Sequence, residues 1–312
     1  MVMRPVLYVA ILIASLIGTY AFKLRTEGIF ACPATGYPAN GYLGYCEALA
    51  YGDYDHGAFW YELEPEAARR MASADVLFLG NSRMEFGLSS QATSDWFAHA
   101  GVSHFLFGFS HLENETFIAP LLSRLQPHAR VYVINVDRFF DDEPSAPGGQ
   151  ILRASGNELR RHYHEKAIWQ QLQRPLCTRH PGLCGHNLAF YRARDDGHWE
   201  HRGGGPERPQ AVADAEPSDQ ALWGHYDDLA RQFIERLPVN RDCIILTLIP
   251  SPATKTAEAR ALAAHLGLEL EAPQVEGLET FDDTHLNPDS AQRWSAAFFE
   301  LAGPRIRQCL AK

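Results

Sequence analysis

Ala74-Asp-Val-Leu-Phe-Leu-Gly-Asn-Ser-Arg83 is the stretch on which the reading of the chain turns. Val76 to Leu79 is an unbroken apolar run, and it stops abruptly at Gly80, Asn81, Ser82 and Arg83. A short apolar run ended by a glycine turn reads as a strand buried on both faces, the pattern of a parallel sheet. In open α/β sheets, ligands bind beyond the carboxyl ends of the strands. Ser82 therefore stands where a nucleophile is useful. The rest of the chain has to supply a base, an acid that orients the base, and donors for an oxyanion.

Outward from that strand the pattern alternates. Glu64 to Ala72 precedes it as a short helix. Ser89 to Ala100 follows as a helix, with Ser89 or Ser90 as cap and Gly101 as its stop. Val102 to Phe107 reads as a second strand ending in Gly108-Phe-Ser-His111, Glu113 to Leu125 as a helix stopped by Pro127, and Val131 to Val136 as a third strand with Asp137-Arg138 at its end. Strands alternating with helices imply an α/β fold, a parallel sheet with helices on both faces in a three-layer α/β/α sandwich. Regularity then lapses. Asp141 to Gln150 is an acidic, Pro/Gly-rich loop, Asn157 to Gln173 a helix, and Pro175 to Pro217 largely irregular around Gly203-Gly-Gly-Pro206. Residues 141–217 thus read as an insertion and a candidate lid, since so long a connection is uncommon in a compact domain unless it is functional. Ser218 to Leu237 resumes as a helix, Cys243 to Ile249 as a strand, Thr254 to Leu266 as a helix, Leu268 to Ala272 as a short strand, and Pro288 to Leu301 as the last long helix.

Pro5 to Phe22 is 18 residues without a charge. As a helix it spans roughly 27 Å, enough for the hydrocarbon core of a bilayer. A cleaved signal peptide is the rival, but its apolar region is shorter and ends in an A-x-A-like site. Neither feature is clear here, so residues 1–25 read as an uncleaved signal-anchor. Arg4 on one side and Lys23 and Arg25 on the other leave its orientation open. Residues 26–63 are rich in Gly, Tyr and Pro and read as an arm whose aromatics (Tyr51, Tyr54, Phe59, Trp60, Tyr61) pack on a core. A sugar-stacking surface is the alternative. Residues 64–312 then form the main domain.

Six cysteines behind an export-type segment imply disulfides and an oxidising compartment. Spacing suggests two local bridges, Cys32–Cys46 and Cys177–Cys184, which leaves Cys243 with Cys309. No C-x-x-C spacing supports zinc or redox chemistry. The 312 residues are 46% apolar and 21% charged, ordinary globular composition, and the formal net charge of −10 argues against nucleic acid as a partner.

Phe281-Asp-Asp-Thr-His-Leu-Asn-Pro288 is the second informative stretch. It precedes the last helix, with Asn287 as a cap, and one turn-like loop there carries both Asp282 and His285. A serine hydroxyl needs such a base, and the base needs a carboxylate that fixes its tautomer. Other residues weigh less. His162 and His164, beside Glu165, point to different faces of a helix and read as solvated. His104 and His111 flank Gly108, and His111 is a candidate for lining the site. Asn114-Glu-Thr116 fits a glycosylation sequon.

Together these blocks resemble the SGNH (GDSL-like) hydrolase family. Strand-Gly-Asn-Ser resembles its first block, with Asn81 where the familiar form has Asp and Ser82 at the nucleophile. Asp282-x-x-His285 resembles its last block, and Leu106-Phe-Gly108 its second, whose glycine supplies an oxyanion N–H. The resemblance covers roughly residues 74–140 and 240–302 and implies a flavodoxin-like sheet. One departure concerns the third block, usually G-x-N-D. Here it reads Ile134-Asn-Val-Asp137, so Asn135 is out of register and reaches the oxyanion only if the strand end bends. Otherwise the hole rests on the N–H groups of Ser82 and Gly108, helped by Arg83, with Asn81 and Asp137 lining the site. The resemblance implies a serine acyl-ester hydrolase or O-acyl (acetyl) transferase acting on a cell-envelope or extracellular glycan. Divergent third blocks of this kind are similar to membrane-linked members that handle O-acetyl groups on envelope polysaccharides. The implied protein is single-pass in the inner membrane with its domain in the periplasm or outside, and is served by a membrane acyl donor protein. No metal or organic cofactor is required. A non-catalytic glycan-binding or scaffolding protein on a degenerate SGNH fold is the alternative.

Overall fold

The computed structural model describes residues 5–33, 40–213, 223–252 and 254–312. In chain order the elements begin with α1 (Pro5–Thr26), β1 (Gly41–Cys46), β2 (Gly52–Asp53), α2 (Asp55–Trp60), α3 (Pro65–Ala72), β3 (Val76–Asn81) and α4 (Ser82–Gly87). Then come α5 (Ser90–Ala100), β4 (His104–Phe109), α6 (Glu115–Leu125), β5 (Val131–Asn135), α7 (Ala146–Arg153) and α8 (Glu158–Arg179). The chain closes with β6 (Ala189–Ala193), β7 (Trp199–Arg202), α9 (Trp223–Arg236), β8 (Ile244–Thr247), α10 (Thr256–Leu266) and α11 (Pro288–Leu310). They fall into two compact units.

The larger unit comprises His56–Gly156, Ala193–Trp199 and Pro206–Lys312. Its sheet is parallel, in the order β4-β3-β5-β8, with Val76 level with His104 on one side and Val131 on the other. All six residues of β3 are buried, as a central parallel strand requires. Alternate side chains serve opposite faces. Phe78 packs edge-on to Phe97 of α5 and to Phe298 and Phe299 of α11. Phe109 lies on Phe59 of α2 and Phe117 of α6. The chain leaves β3 for the edge strand β4, then crosses back to β5, so strand order reverses between β3 and β5. A crevice opens at such a reversal, outside the carboxyl ends of the two strands. Ser82 follows one of those strands and Asp137 follows the other.

Four expectations shift here. Ala146–Arg153, which begins within the expected loop over 141–150, is helix α7, capped by the Ser145 side chain on the Gly148 N–H. The helix α4 was not foreseen at all. The expected strand at 268–272 reduces to a single bridge between Leu246 and Leu270. The last helix runs to Leu310 through Pro304, because Ala302, Ile306 and Cys309 continue its buried stripe. Of the helix expected over Ser218 to Leu237, residues 218–222 lie outside the described residues and Trp223–Arg236 is helical.

The smaller unit takes the described residues of Met1–Asp55, Asn157–Arg192 and Glu200–Gly205. Its α1 is long and apolar enough to cross a membrane by length and composition. A four-stranded sheet runs in the order β2-β1-β6-β7, so residues expected to be an arm and an irregular insertion are strands. Two buried polar contacts explain why. Arg192 of β6 is fully buried and forks onto Asp55, whose carboxylate also accepts from the Tyr42 hydroxyl at 2.5 Å. Gln170 of α8 accepts from the N–H of Leu43 and donates to its carbonyl. The α8 helix passes through Pro175 to Arg179 because its buried row (Tyr163, Lys166, Gln170, Gln173, Cys177) continues beyond the proline. His162 and His164 are exposed on it. Tyr51 and Tyr54 are core residues here, as Phe59 is in the larger unit, which removes them from any sugar-stacking surface.

The cysteines pair at disulfide distance as Cys32–Cys46, Cys177–Cys184 and Cys243–Cys309. Three such pairs fit an oxidising compartment.

Candidate active site

The site begins with a cap. Asn81, the last residue of β3, turns its Oδ1 to the N–H of Arg83 at 3.0 Å and so starts α4 at Ser82. The Asn81 Nδ2 donates to the Asp137 carbonyl at 2.9 Å, joining the ends of β3 and β5. Arg83 reaches the Asp137 carboxylate at 2.5 Å with both side chains nearly enclosed. Gly87 ends the helix against Ile249, whose Cγ2 would lie 2.3 Å from any Cβ placed there. The short helix is thus held at both ends.

The acid and base come from one tight loop. The Asp282 Oδ1 accepts from the N–H groups of Thr284 at 3.2 Å and His285 at 2.9 Å, while Asp283 takes a left-handed conformation (φ 67°). Asp tolerates that region and favours such side-chain turns. Residues 208–212 of the presumed insertion run beside the loop. Arg208 donates its N–H to Phe281, and Thr280 donates its own to Gln210. Asn287 caps α11 through the Ser290 N–H, as its position before Pro288 implies.

From these supports the three side chains meet. His285 Nε2 is 2.8 Å from Ser82 Oγ, and His285 Nδ1 is 2.8 Å from Asp282 Oδ2. Phe86 lies edge-on to the imidazole at 4.9 Å and Phe281 stacks on it at 5.7 Å. Burial of Asp282 works against its ionisation. Hydrogen bonds and charge from His285, with the two loop N–H groups, outweigh it and hold the carboxyl below its ordinary range. An ionised Asp282 can only accept a hydrogen bond from the ring, so Nδ1 carries the hydrogen and the lone pair of Nε2 faces the hydroxyl.

The expected oxyanion donors do not open onto the site. Gly108 donates its N–H to the Glu85 carboxylate at 2.7 Å, so it is not open to a substrate. Glu85 is buried and lies three residues after Ser82 on α4. Asn135 does not bend into the site. Its Oδ1 accepts from the N–H of Ile249 at 3.0 Å, and its Nδ2 is sealed from solvent with no partner. That N–H lies beyond the last β5–β8 pair and needs an acceptor, which Asn135 provides. What remains is the N–H of Ser82, the first residue of α4, which has no acceptor within the helix. His111 is exposed in the loop after β4 with φ 60°.

The chain matches no family model, no curated protein and no solved structure. Sequence reasoning missed Glu85, Phe86 and the 208–212 buttress. Glu85 and Phe86 were within reach once Asn81 is read as a helix cap, because the spacing of Glu85 from Ser82 then puts both on one side of a helix.

Proposed function

We propose that the chain is a serine-dependent acyl-ester hydrolase or O-acyl (acetyl) transferase of the SGNH type, acting on a cell-envelope or extracellular glycan. The observation that carries this reading is the continuous hydrogen-bonded series from Ser82 Oγ through His285 to Asp282. The four parallel strands in the order β4-β3-β5-β8, with Ser82 at the point of reversal, fit the flavodoxin-like sheet of that family.

In the first step the Ser82 proton passes to His285 Nε2 as Oγ bonds to the ester carbonyl carbon. Asp282 stabilises the imidazolium, and the Ser82 N–H faces the developing oxyanion. The tetrahedral intermediate collapses, the carbon–oxygen bond to the leaving alcohol breaks, and His285 returns the proton to that alcohol. Water or a sugar hydroxyl then takes the acyl group by the reverse sequence, regenerating Ser82. The apolar α1 supports a membrane anchor, and the disulfides support a domain on the periplasmic or outer side, where a membrane acyl donor protein is a fitting partner.

The full chain, purified in detergent, should release acetate from an activated aryl acetate, and Ser82→Ala should abolish the release. Equal rates for the two proteins would reject the reading. A sugar acceptor that accelerates turnover of the acyl-enzyme marks a transferase. A non-catalytic glycan-binding protein is the second reading, favoured by the bond between Gly108 and Glu85, and it predicts no release from either protein.

A further inference from the structure

His104 opens β4 at the end of the sheet opposite Ser82, and Asp196 and His198 lie on the turn that joins β6 to β7. We infer that these three side chains form a binding site for a divalent transition metal of the zinc class. One donor atom of each lies within 4.8 Å of the other two.

Each ligand is prepared in a different way. The His104 ring is stacked on Phe97, with centroids 4.1 Å apart and planes 16° from parallel, which fixes its plane. Its Nε2 is sealed from solvent and has no partner. The His198 Nε2 lies 2.7 Å from the Leu88 carbonyl, which can only accept. Nε2 therefore carries a hydrogen, and Nδ1 is the ring nitrogen toward Asp196. Metal-binding imidazoles are oriented in this way, through a carbonyl on the far ring nitrogen. His198 Nδ1 stands 3.9 Å from Asp196 Oδ2.

The turn itself is held rigidly. The Asp196 carbonyl accepts from the Leu106 N–H at 2.8 Å, and its Oδ1 accepts from the His198 N–H at 3.1 Å. Gly197 adopts φ +80°, and a Cβ there would meet the Leu106 carbonyl oxygen at 2.1 Å. Zinc takes imidazole nitrogen at about 2.0–2.1 Å and carboxylate oxygen at similar distance, so tetrahedral donors stand about 3.3–3.5 Å apart. Two imidazoles and a carboxylate suit zinc, with water in the fourth position. The bound ion would fasten the turn to β4 and, through His198, to Leu88 just after α4. This inference does not depend on the acyl-transfer reading.

The test uses the full chain in detergent, stripped with a chelator and titrated with Zn2+ by calorimetry while its melting temperature is followed. Co2+ absorption in the visible range serves as a spectroscopic signature. We expect one saturable equivalent that raises the melting temperature. His104→Phe, which keeps the stack on Phe97, and Asp196→Asn should each weaken binding on the order of 100-fold and remove the shift. Far-UV circular dichroism checks that each variant is folded, and if His104→Phe is not, Asp196→Asn alone decides. No saturable binding in the wild-type chain, or undiminished binding in a folded variant, would overturn the site and leave a simple histidine–aspartate contact.

Discussion

Glu85 places a carboxylate on the Gly108 N–H, one helical turn from the nucleophile. If negative charge builds on a substrate oxygen beside Ser82, an ionised Glu85 opposes it. Unit charges roughly 5 Å apart repel by about 3 kcal/mol at an effective dielectric constant of about 20. Glu85→Gln keeps an oxygen for Gly108 and removes the charge. We expect it to raise kcat for an activated ester by on the order of tenfold with little change in KM, since the repulsion exists only in the transition state. Initial rates on both proteins check this, and an unchanged or lower kcat would make the Glu85 bond purely structural. Asn81 teaches a related lesson. As a sequence letter it is turn punctuation, but in the fold it caps α4 and bonds the end of β5.

The turn between β6 and β7 depends on one residue. Gly197→Ala would need both a left-handed alanine and a Cβ against the Leu106 carbonyl and the Phe105 ring. Strained backbone alone costs about 1–3 kcal/mol. We expect the melting temperature to fall by roughly 5–10 °C, read by circular dichroism, with Asn81, Ser82 and the acid–base loop unchanged in sequence. The turn was not legible beforehand. Strand β6 contains Arg192, which reads as a surface residue until Asp55, 137 positions away, is seen to neutralise it. Sheets built on such distant pairs leave no local period. β3 was legible because a central parallel strand is apolar throughout and a glycine ends it. The Asp282–His285 loop was legible because Asn287 and Pro288 mark the start of a helix just after it. Helix α4 was not, because six residues are too few to show a period. The oxyanion donors were misread because the partner of Gly108 is set by α4.

At the scale of the whole molecule, carboxyl groups whose pKa shifts on folding shape stability against pH, Glu113, Glu115 and Asp282 among them. Burial raises Glu115 to about 7, with the charge of Arg236 opposing. A carboxyl raised in the folded state stabilises fully below its unfolded value, near 4.5, and that contribution is lost as pH climbs toward 7. Asp282 and Glu113 have the opposite sign. Burial of Glu113 is outweighed by His56, Ser145 and the Asn114 N–H, so its pKa, like that of Asp282, is depressed. Their contribution is present above their ordinary values, near 4, and is lost as pH falls below that. Glu115→Gln should therefore flatten the decline in melting temperature between about pH 4.5 and 7 and leave the acid limb in place. Melting curves across that range decide it, and parallel profiles for the two proteins would count against the assignment. A last consequence follows from the Cys243–Cys309 pair, 66 residues apart. Asp282 and His285 both lie between those cysteines, so the acid and the base ride on a covalently closed ring. In the chain-entropy picture such closure stabilises by about 4 kcal/mol. It also means that one backbone cut anywhere in the ring releases no fragment, and the base stays tied to the molecule that holds its serine.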